Sequence, residues 1–370
     1  MKKKSIVICL AVIMAMVFSA NVVIAKEKKQ IKWKMTTCWK PIYLLIEADK
    51  YFVNLVNEMS AGELKIEFYE GGTLVPTKQV FDAVKGGLVQ ISGDFAGYWA
   101  GKDTAFNLLG SYPMGLNAIN YVNWIYQAGG LELFQEVYGK YGVIYFPHAV
   151  TTQESGPRGT KAIKSLDDYK GLKIRMSGKV QGNILKELSA AQVKISSSEV
   201  YQAMQKGVID AAESSSPFLD WALKYGEITT FSSHPGWHQP GGTLGLIINK
   251  KAWESLPKHL QAIIRVAAQA TVTWWMSYQD YTSSTGTELF EEKGIKEYHL
   301  SDEDLTKLAE LSNKYTYEMC AENPLFAKVA YSQFKYMHKM KNWLKLSAPL
   351  RGGWADQPLP DLEKIKTYVK

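Results

Sequence analysis

The chain has 370 residues, 46% of them hydrophobic, with 43 Lys and Arg against 36 Asp and Glu. Its formal charge of +7 is mild, and Lys2, Lys3 and Lys4 supply three of those charges, so nothing points to a nucleic-acid partner. Three cysteines are too few for a disulfide framework, and the length exceeds what one hydrophobic core usually supports, so two lobes are expected.

Lys2 to Lys4 form a basic start, Ile6 to Phe18 an apolar run, and Val23-Ile24-Ala25 a small-residue cleavage site. This reads as a secretory signal over residues 1–25 and places the mature protein in the periplasm. The run is short for a spanning helix and is followed by Lys26, Glu27, Lys28 and Lys29; an uncleaved anchor is the alternative. Cys9 leaves with the signal. Cys38 and Cys320 remain, either bridged in an oxidising compartment or as two buried thiols.

Ile31 to Thr36 alternates apolar and polar residues and predicts a strand. Helical spacing then runs from Leu44 to Ser60, a strand from Leu64 to Tyr69, a helix from Val75 to Lys85 entered through Pro76, and a strand from Gly87 to Gly93. That order implies a mostly parallel sheet, with Thr37 to Trp39 and Asp94 to Trp99 beyond its carboxyl edge. A similar pattern repeats from about Val143: strands at 143–150, 171–176, 193–195 and 207–212, with helices near 180–188 and 199–206. A loop rich in Ser, Pro and Gly, Ser214 to Gly242, leads to an apolar strand, Leu244 to Asn249. The pattern divides the chain into lobe I, residues 26–150 with about 240–255, and lobe II, residues 151–239 with part of the C-terminal helices. From Ser255-Leu256-Pro257 a helical pattern continues to Gly286 or Gly294, a long helix over about 256–294 that spans both lobes. Two helices broken near Thr271 to Thr273 are the alternative. Residues 300–370 read as C-terminal helices and a tail.

Enzyme signatures are absent: no GxSxG elbow, no phosphate loop and no strand-GxGxxG-helix unit. None of the six histidines has HExxH or zinc-finger spacing, and His234 and His238 flank a Pro-Gly-Trp loop. Two strand ends carry the chemistry instead. In Gly171-Leu172-Lys173-Ile174-Arg175-Met176 the apolar residues alternate with the cations, so one face can be buried while Arg175 points away. A guanidinium on a rigid strand suits a carboxylate, because its planar fork meets both oxygens. Gly207 to Glu213 delivers an acid from a second apolar strand. Each residue alone could equally be a structural ion pair. With Tyr98-Trp99 and Pro235-Gly236-Trp237-His238 they suggest a half-apolar pocket with few convergent polar groups.

The segment Lys164-Ser-Leu-Asp-Asp-Tyr-Lys-Gly-Leu-Lys-Ile-Arg175 resembles the signature of solute-binding proteins of tripartite ATP-independent periplasmic (TRAP) transporters. Gly72 to Pro76, Val80 to Val84, Tyr98 to Asp103, Gly129 to Leu133, Lys206 to Glu213 and Pro235 to Trp237 resemble its α-keto acid and mannitol/chloroaromatic branch. The resemblance implies a two-lobed α/β periplasmic binding fold, a type II-like clamp with a long helix spanning both lobes. It also implies a non-enzymatic protein that captures an organic monocarboxylate of the 2-oxo or 2-hydroxy acid class and delivers it to sodium-driven membrane subunits. Carried over, Arg175 matches the carboxylate-binding arginine, and Glu213 matches an acid that helps hold a sodium or calcium ion bridging protein and ligand. Gln153 or Glu154 and Gln239 extend the contacts, and Tyr98, Trp99 and Trp237 are the expected apolar walls.

Three positions depart from the branch: Ser214-Ser215-Ser216 where a tryptophan often follows the acid, Gln239 where a glutamate is common, and Glu154 where a gapless reading expects glutamine. Ser214, assigned to both ligand and cation, leaves room for an acid larger than pyruvate. The family pattern admits a homodimer through the C-terminal helices. The alternatives are a polyol or aromatic acid held without metal, and a periplasmic hydrolase or lyase using Glu213 as base.

Overall fold

The computed structural model describes residues 30–195 and 197–347; the expected signal over 1–25 and the residues beyond Ser347 lie outside the described residues. The first strand, β1 (Ile31–Thr37), buries Trp33 and Met35 and exposes Lys32 and Lys34, as the alternation requires. The next helix, α1 (Ile46–Met59), turns Ile46, Ala48, Phe52, Val53 and Val56 inward. It is followed by β2 (Leu64–Phe68), α2 (Val80–Lys85) and β3 (Ile91–Phe95). The third strand starts later than its apolar run suggests. Gly87 sits at φ +78°, its N–H bonded to the Val84 carbonyl, so Gly86 and Gly87 close the helix rather than open the strand. Three helices, α3 (Ala105–Gly110), α4 (Ala118–Gln127) and α5 (Gly130–Gly139), precede β4 (Val143–Thr151).

The chain then builds a second sheet from β5 (Arg158–Gly159), β6 (Lys173–Arg175), α6 (Lys179–Glu187), β7 (Ala191–Val193), α7 (Ser197–Gln205) and β8 (Ala211–Ala212). The stretch read as a loop holds α8 (Pro217–Ala222), begun by its proline, and β9 (Phe231–His234). The chain returns to the first sheet as β10 (Gly242–Asn249), continues through α9 (Lys250–Ser255) and α10 (Lys258–Glu292), and adds β11 (Lys296–His299) to the second. It closes with α11 (Asp302–Glu322) and α12 (Pro324–Ser347). The first sheet has the order β2-β1-β3-β10-β4, with β10 antiparallel to both neighbours; the second is β11-β9-β5-β8-β6-β7. Strand β4, where the repeat was expected to begin, belongs to the first sheet.

The long helix is one continuous element of 35 residues, about 52 Å at 1.5 Å per residue. It packs on β4 and α1 of the first sheet and on α8 of the second, so it spans both. Neither suspected break occurs. Thr271 returns its hydroxyl to the Ala267 carbonyl at 2.7 Å, within the helix. Gly286 is a close approach: a Cβ there would lie 2.3 Å from the Phe218 backbone nitrogen. The helix ends before Gly294, at φ +76°. Leu260, Ile264 and Ala267 join Trp33, Met35 and Phe52 in one core, whereas Phe290 joins Val200, Leu219 and Tyr225 in another. Helix α12 rests on α3 and α5, and α11 on α6. Cys38 is buried, Cys320 half-buried, and both are free thiols. Among the described residues, no helix is long and apolar enough to cross a membrane.

Candidate functional site

Strands β6 and β8 are parallel neighbours, with Arg175 opposite Ala212. Their carboxyl ends therefore bring the arginine and the acid that follows Ala212 to the same edge. Arg175 Nη1 lies 2.9 Å from Glu213 Oε1 and also donates to the Glu213 carbonyl, while its Nε donates to the Ile195 carbonyl beyond β7. Ser177 donates its backbone N–H (2.6 Å) and its hydroxyl (3.0 Å) to the same Glu213 Oε1. Burial alone would raise the Glu213 carboxyl; the charges of Arg175 and His238 and the Ser177 bonds outweigh it and hold the group below its ordinary value. Arg175, reciprocally, is held above its ordinary value: burial opposes its charge, but Glu213 outweighs that.

The two segments that run between the sheets complete the cluster. Glu154 follows β4, and its N–H bonds to the carbonyl of Gln239, which precedes β10. Gln239 Nε2 donates to Glu154 Oε1 at 2.6 Å. His238 Nε2 is 3.2 Å from Glu154 Oε2 and 3.7 Å from Glu213 Oε2, so one ring nitrogen faces both acids. Burial raises Glu154 to about 7, with His238 opposing and Glu213 adding to the rise. Burial lowers the imidazole, but its bond to Glu154 and the Glu213 charge prevail, and it sits above its ordinary value.

Behind this cluster, Arg158 Nε holds Asp220 at 3.1 Å, its Nη2 donates to Ser155 Oγ, and its guanidinium lies 3.7 Å from the centre of the Phe290 ring. Asp220 accepts from the Ser215 N–H, and the Ser155 N–H bonds to the Ser215 carbonyl. Two segments carrying acids are thus tied to one buried ion pair.

Glu154, Glu213 and His238 each present one ligand atom, all within 4.8 Å of one another, and all three residues are buried. Two carboxylates and a side-chain amide are hard-oxygen donors suited to sodium or calcium. The fit is chemical as well as spatial, because a cation among them would relieve two acids confined together away from water.

The other sequence-predicted residues are distributed as follows. Tyr98 is 54% exposed, packs on Trp39 and Phe95, and lies near enough to Arg175 and Glu213 to feel their charges. Ser214 is half-buried beside Glu213. Trp99 lies in the first sheet's core and donates to Asp94 at 2.6 Å. Trp237 is buried and donates to the Tyr169 hydroxyl at 3.0 Å. Gln153 is exposed, whereas its neighbour Glu154 is buried. Sequence reading placed His238 in a polar loop; its position between two acids depends on the loop's tertiary contact with Glu154. Ser177, just after β6, gave no signal beyond its proximity to Arg175.

Two α/β sheets joined by crossing segments and a shared long helix, with a buried guanidinium and paired acids where the crossings meet the strand ends, define a two-sheet periplasmic binding fold. The model of bacterial extracellular solute-binding proteins, family 7, matches residues 35–323, and the chain belongs to that family. It is a family of solute-binding transport proteins and not of enzymes.

A monocarboxylate 2-oxoacid-binding periplasmic protein of Nostoc sp. is 35% identical over 311 residues, 84% of each chain. Among solved structures, a TRAP periplasmic solute-binding protein of Colwellia psychrerythraea with bound calcium and pyruvate has a TM-score of 0.82 and 30% identity, covering 87% of this chain and 98% of that one. One from Pseudoalteromonas atlantica with sodium and pyruvate has a TM-score of 0.81 and 28% identity, covering 87% and 98%. A third, from Bordetella bronchiseptica, is a dimer with calcium and picolinate, with a TM-score of 0.82 and 25% identity, covering 92% and 99%.

Proposed function

We propose that the chain captures a monocarboxylate 2-oxoacid such as pyruvate together with a divalent cation, and hands it to TRAP membrane subunits. The observation that carries this reading is the buried set of Arg175, Glu213, Glu154 and His238 at the junction of the two sheets. Arg175 offers its fork to the ligand carboxylate, exchanging part of its bond to Glu213 for the new one. Glu213, Glu154 and the amide oxygen of Gln239 would hold the cation, which supplies a positive charge to the ligand's carboxylate and keto oxygens. His238 steadies Glu154.

A cation beside His238 would hold the imidazole neutral, so the ligand carboxylate, Glu154 and Glu213 would carry three negative charges against Arg175 alone; calcium would offset the surplus of two, where sodium would leave one. The acid common at position 239 in the branch is matched here by Glu154, directly hydrogen-bonded to Gln239, so one acid and one amide are kept across the contact. Tyr98 covers the ligand from the first sheet, and Ser214 leaves room beside it for a side chain longer than a methyl group. The division into residues 26–150 with 240–255, and 151–239, supplies the two jaws, which close by hinging at the crossings. Export through the signal segment and pairing of two copies through the C-terminal helices complete the reading.

Calorimetric titration of pyruvate into protein loaded with calcium, and into chelated protein in sodium-free buffer, tests it. Tight binding that falls at least tenfold on chelation is expected; equal affinity in both would overturn the cation, and absence of binding by pyruvate and longer 2-oxoacids would overturn the ligand class.

A further inference from the structure

A groove of about 830 Å³ is lined by residues other than Arg175, Glu213, Glu154 and His238. Its walls include Gln153 and Trp237, the neighbours of Glu154 and His238, and residues of the last two helices. Met114, Phe334, Met337, Met340 and Leu344 give it an apolar lining, and Lys341 and Lys345 give it positive charge. The three methionines make it adaptable, since unbranched thioethers repack around irregular shapes. Helix α12 carries Lys328, Lys335, Lys339, Lys341 and Lys345 and no acidic residue.

We propose that the C-terminal segment 348–370 of the same chain occupies this groove. Three observations support that occupant. The described chain stops at Ser347, two residues beyond Lys345 in the groove wall, and the 23 residues that follow reach up to about 75 Å when extended. The sequence can turn back: Pro349 lacks the N–H that would bond to Lys345, and Gly352-Gly353 admits a reversal. The segment's central part, Trp354-Ala-Asp356-Gln-Pro-Leu359-Pro-Asp361-Leu362-Glu363, interleaves apolar residues with three acids and no base. This central part, residues 354–363, rather than the basic flanks with Arg351, Lys364, Lys366 and Lys370, complements a methionine-rich groove bordered by lysines. Docked there, the segment braces the two crossings that carry Glu154 and His238.

The test compares the full chain with one stopped after Ser347, by hydrogen exchange over residues 113–117 and 334–345. The truncated chain is expected to exchange at least tenfold faster at the 113–117 amides, and a synthetic 348–370 peptide to restore protection. Lys341→Glu with Lys345→Glu should mimic truncation, and Asp356→Lys, Asp361→Lys and Glu363→Lys added together should reverse it. In a Cys320→Ser background, Met340→Cys paired in turn with Trp354→Cys, Leu359→Cys or Leu362→Cys should yield a disulfide at monomer mass. Identical exchange in the two chains would overturn the proposal. So would a disulfide found only at dimer mass, which would make the occupant the tail of a second copy.

Discussion

Both sheets have buried acids nearby, and the two clusters differ in whether one lobe supplies all their partners. In the first sheet, Asp94 accepts from the Trp99 indole and the Tyr138 hydroxyl, each at 2.6 Å, while Asp49 pairs with His148 at 2.8 Å, wholly out of water. Every partner there comes from the first sheet or the helices around it. In the second, Glu213 and Glu154 share one imidazole and lean on one guanidinium, and their partners arrive from three separate segments. Asp94, between two neutral donors, is an internal brace. Glu154, raised by burial and sharing one imidazole with Glu213 at a junction, can take a further partner from outside.

The largest effect separating the clusters should come from Arg175→Lys. A lysine ammonium keeps the charge but loses the fork and the bond to Ile195, so 2-oxoacid affinity should fall about 100-fold, a loss of about 3 kcal/mol. Calorimetry measures it, and a melting curve close to wild type would separate lost binding from lost folding. Wild-type affinity in the lysine variant would remove the guanidinium from the ligand assignment.

Next in size is Glu154→Gln. One carboxylate fewer should cost calcium about tenfold or more in affinity and change sodium much less, because the site's charge now suits a monovalent ion. Parallel titrations in calcium and in sodium buffers give the ratio; an unchanged ratio would mean that Glu154 does not ligate.

Asp94→Asn should invert the pattern: stability changes and binding stays within about twofold. An amide nitrogen would face either the indole or the phenol, leaving one buried donor unpaired at about 1–3 kcal/mol. Burial raises Asp94 to about 7, despite the two donors. Because the native carboxyl holds its proton more tightly than the unfolded chain does, this stabilisation is full below the unfolded pKa and lost as pH rises through 7. The gap in melting temperature between wild type and variant should therefore narrow from pH 5 to pH 8. A gap independent of pH would refute the account.

Sequence alone reached the strand-end pair because both residues sit at the ends of alternating or apolar runs, a signal carried within six or seven residues. Strand alternation likewise placed β1 and β2 to within a residue or so. Helix α3 gave no such signal: Ala105 to Gly110 is buried on every side, so no polar face marks its period. Strands β5 and β8 are two residues each, below the length at which alternation means anything. The continuity of α10 was legible but not decidable, since Gly286 reads as a breaker until Phe218 is seen to need the space. His238 was legible as part of a pocket loop but not as the partner of two acids. Its neighbours in sequence are a cis proline, a glycine and a buried tryptophan, and only the return of the chain beside Glu154 turns a loop histidine into part of a charge cluster.

The smallest predicted effect concerns that same loop, at its other histidine. His234 bonds to Ser232 Oγ at 3.0 Å and stacks on His299, and burial, together with the charges of Arg158 and His299, lowers it to about 4. A depressed imidazole favours the native state above the unfolded pKa and withdraws that support as pH falls toward 4, because the unfolded chain then binds the extra proton. His234→Gln keeps a polar side chain without a titrating group. The variant should lose about 2 °C in melting temperature at pH 7 and little at pH 4.5, with 2-oxoacid affinity unchanged. A wild-type and variant pair falling in parallel over that range would place the acid sensitivity elsewhere, with the Glu154–His238 cluster the next group to examine. The comparison between a braced lobe and an open one would then extend to pH, with the open cluster as the half that responds.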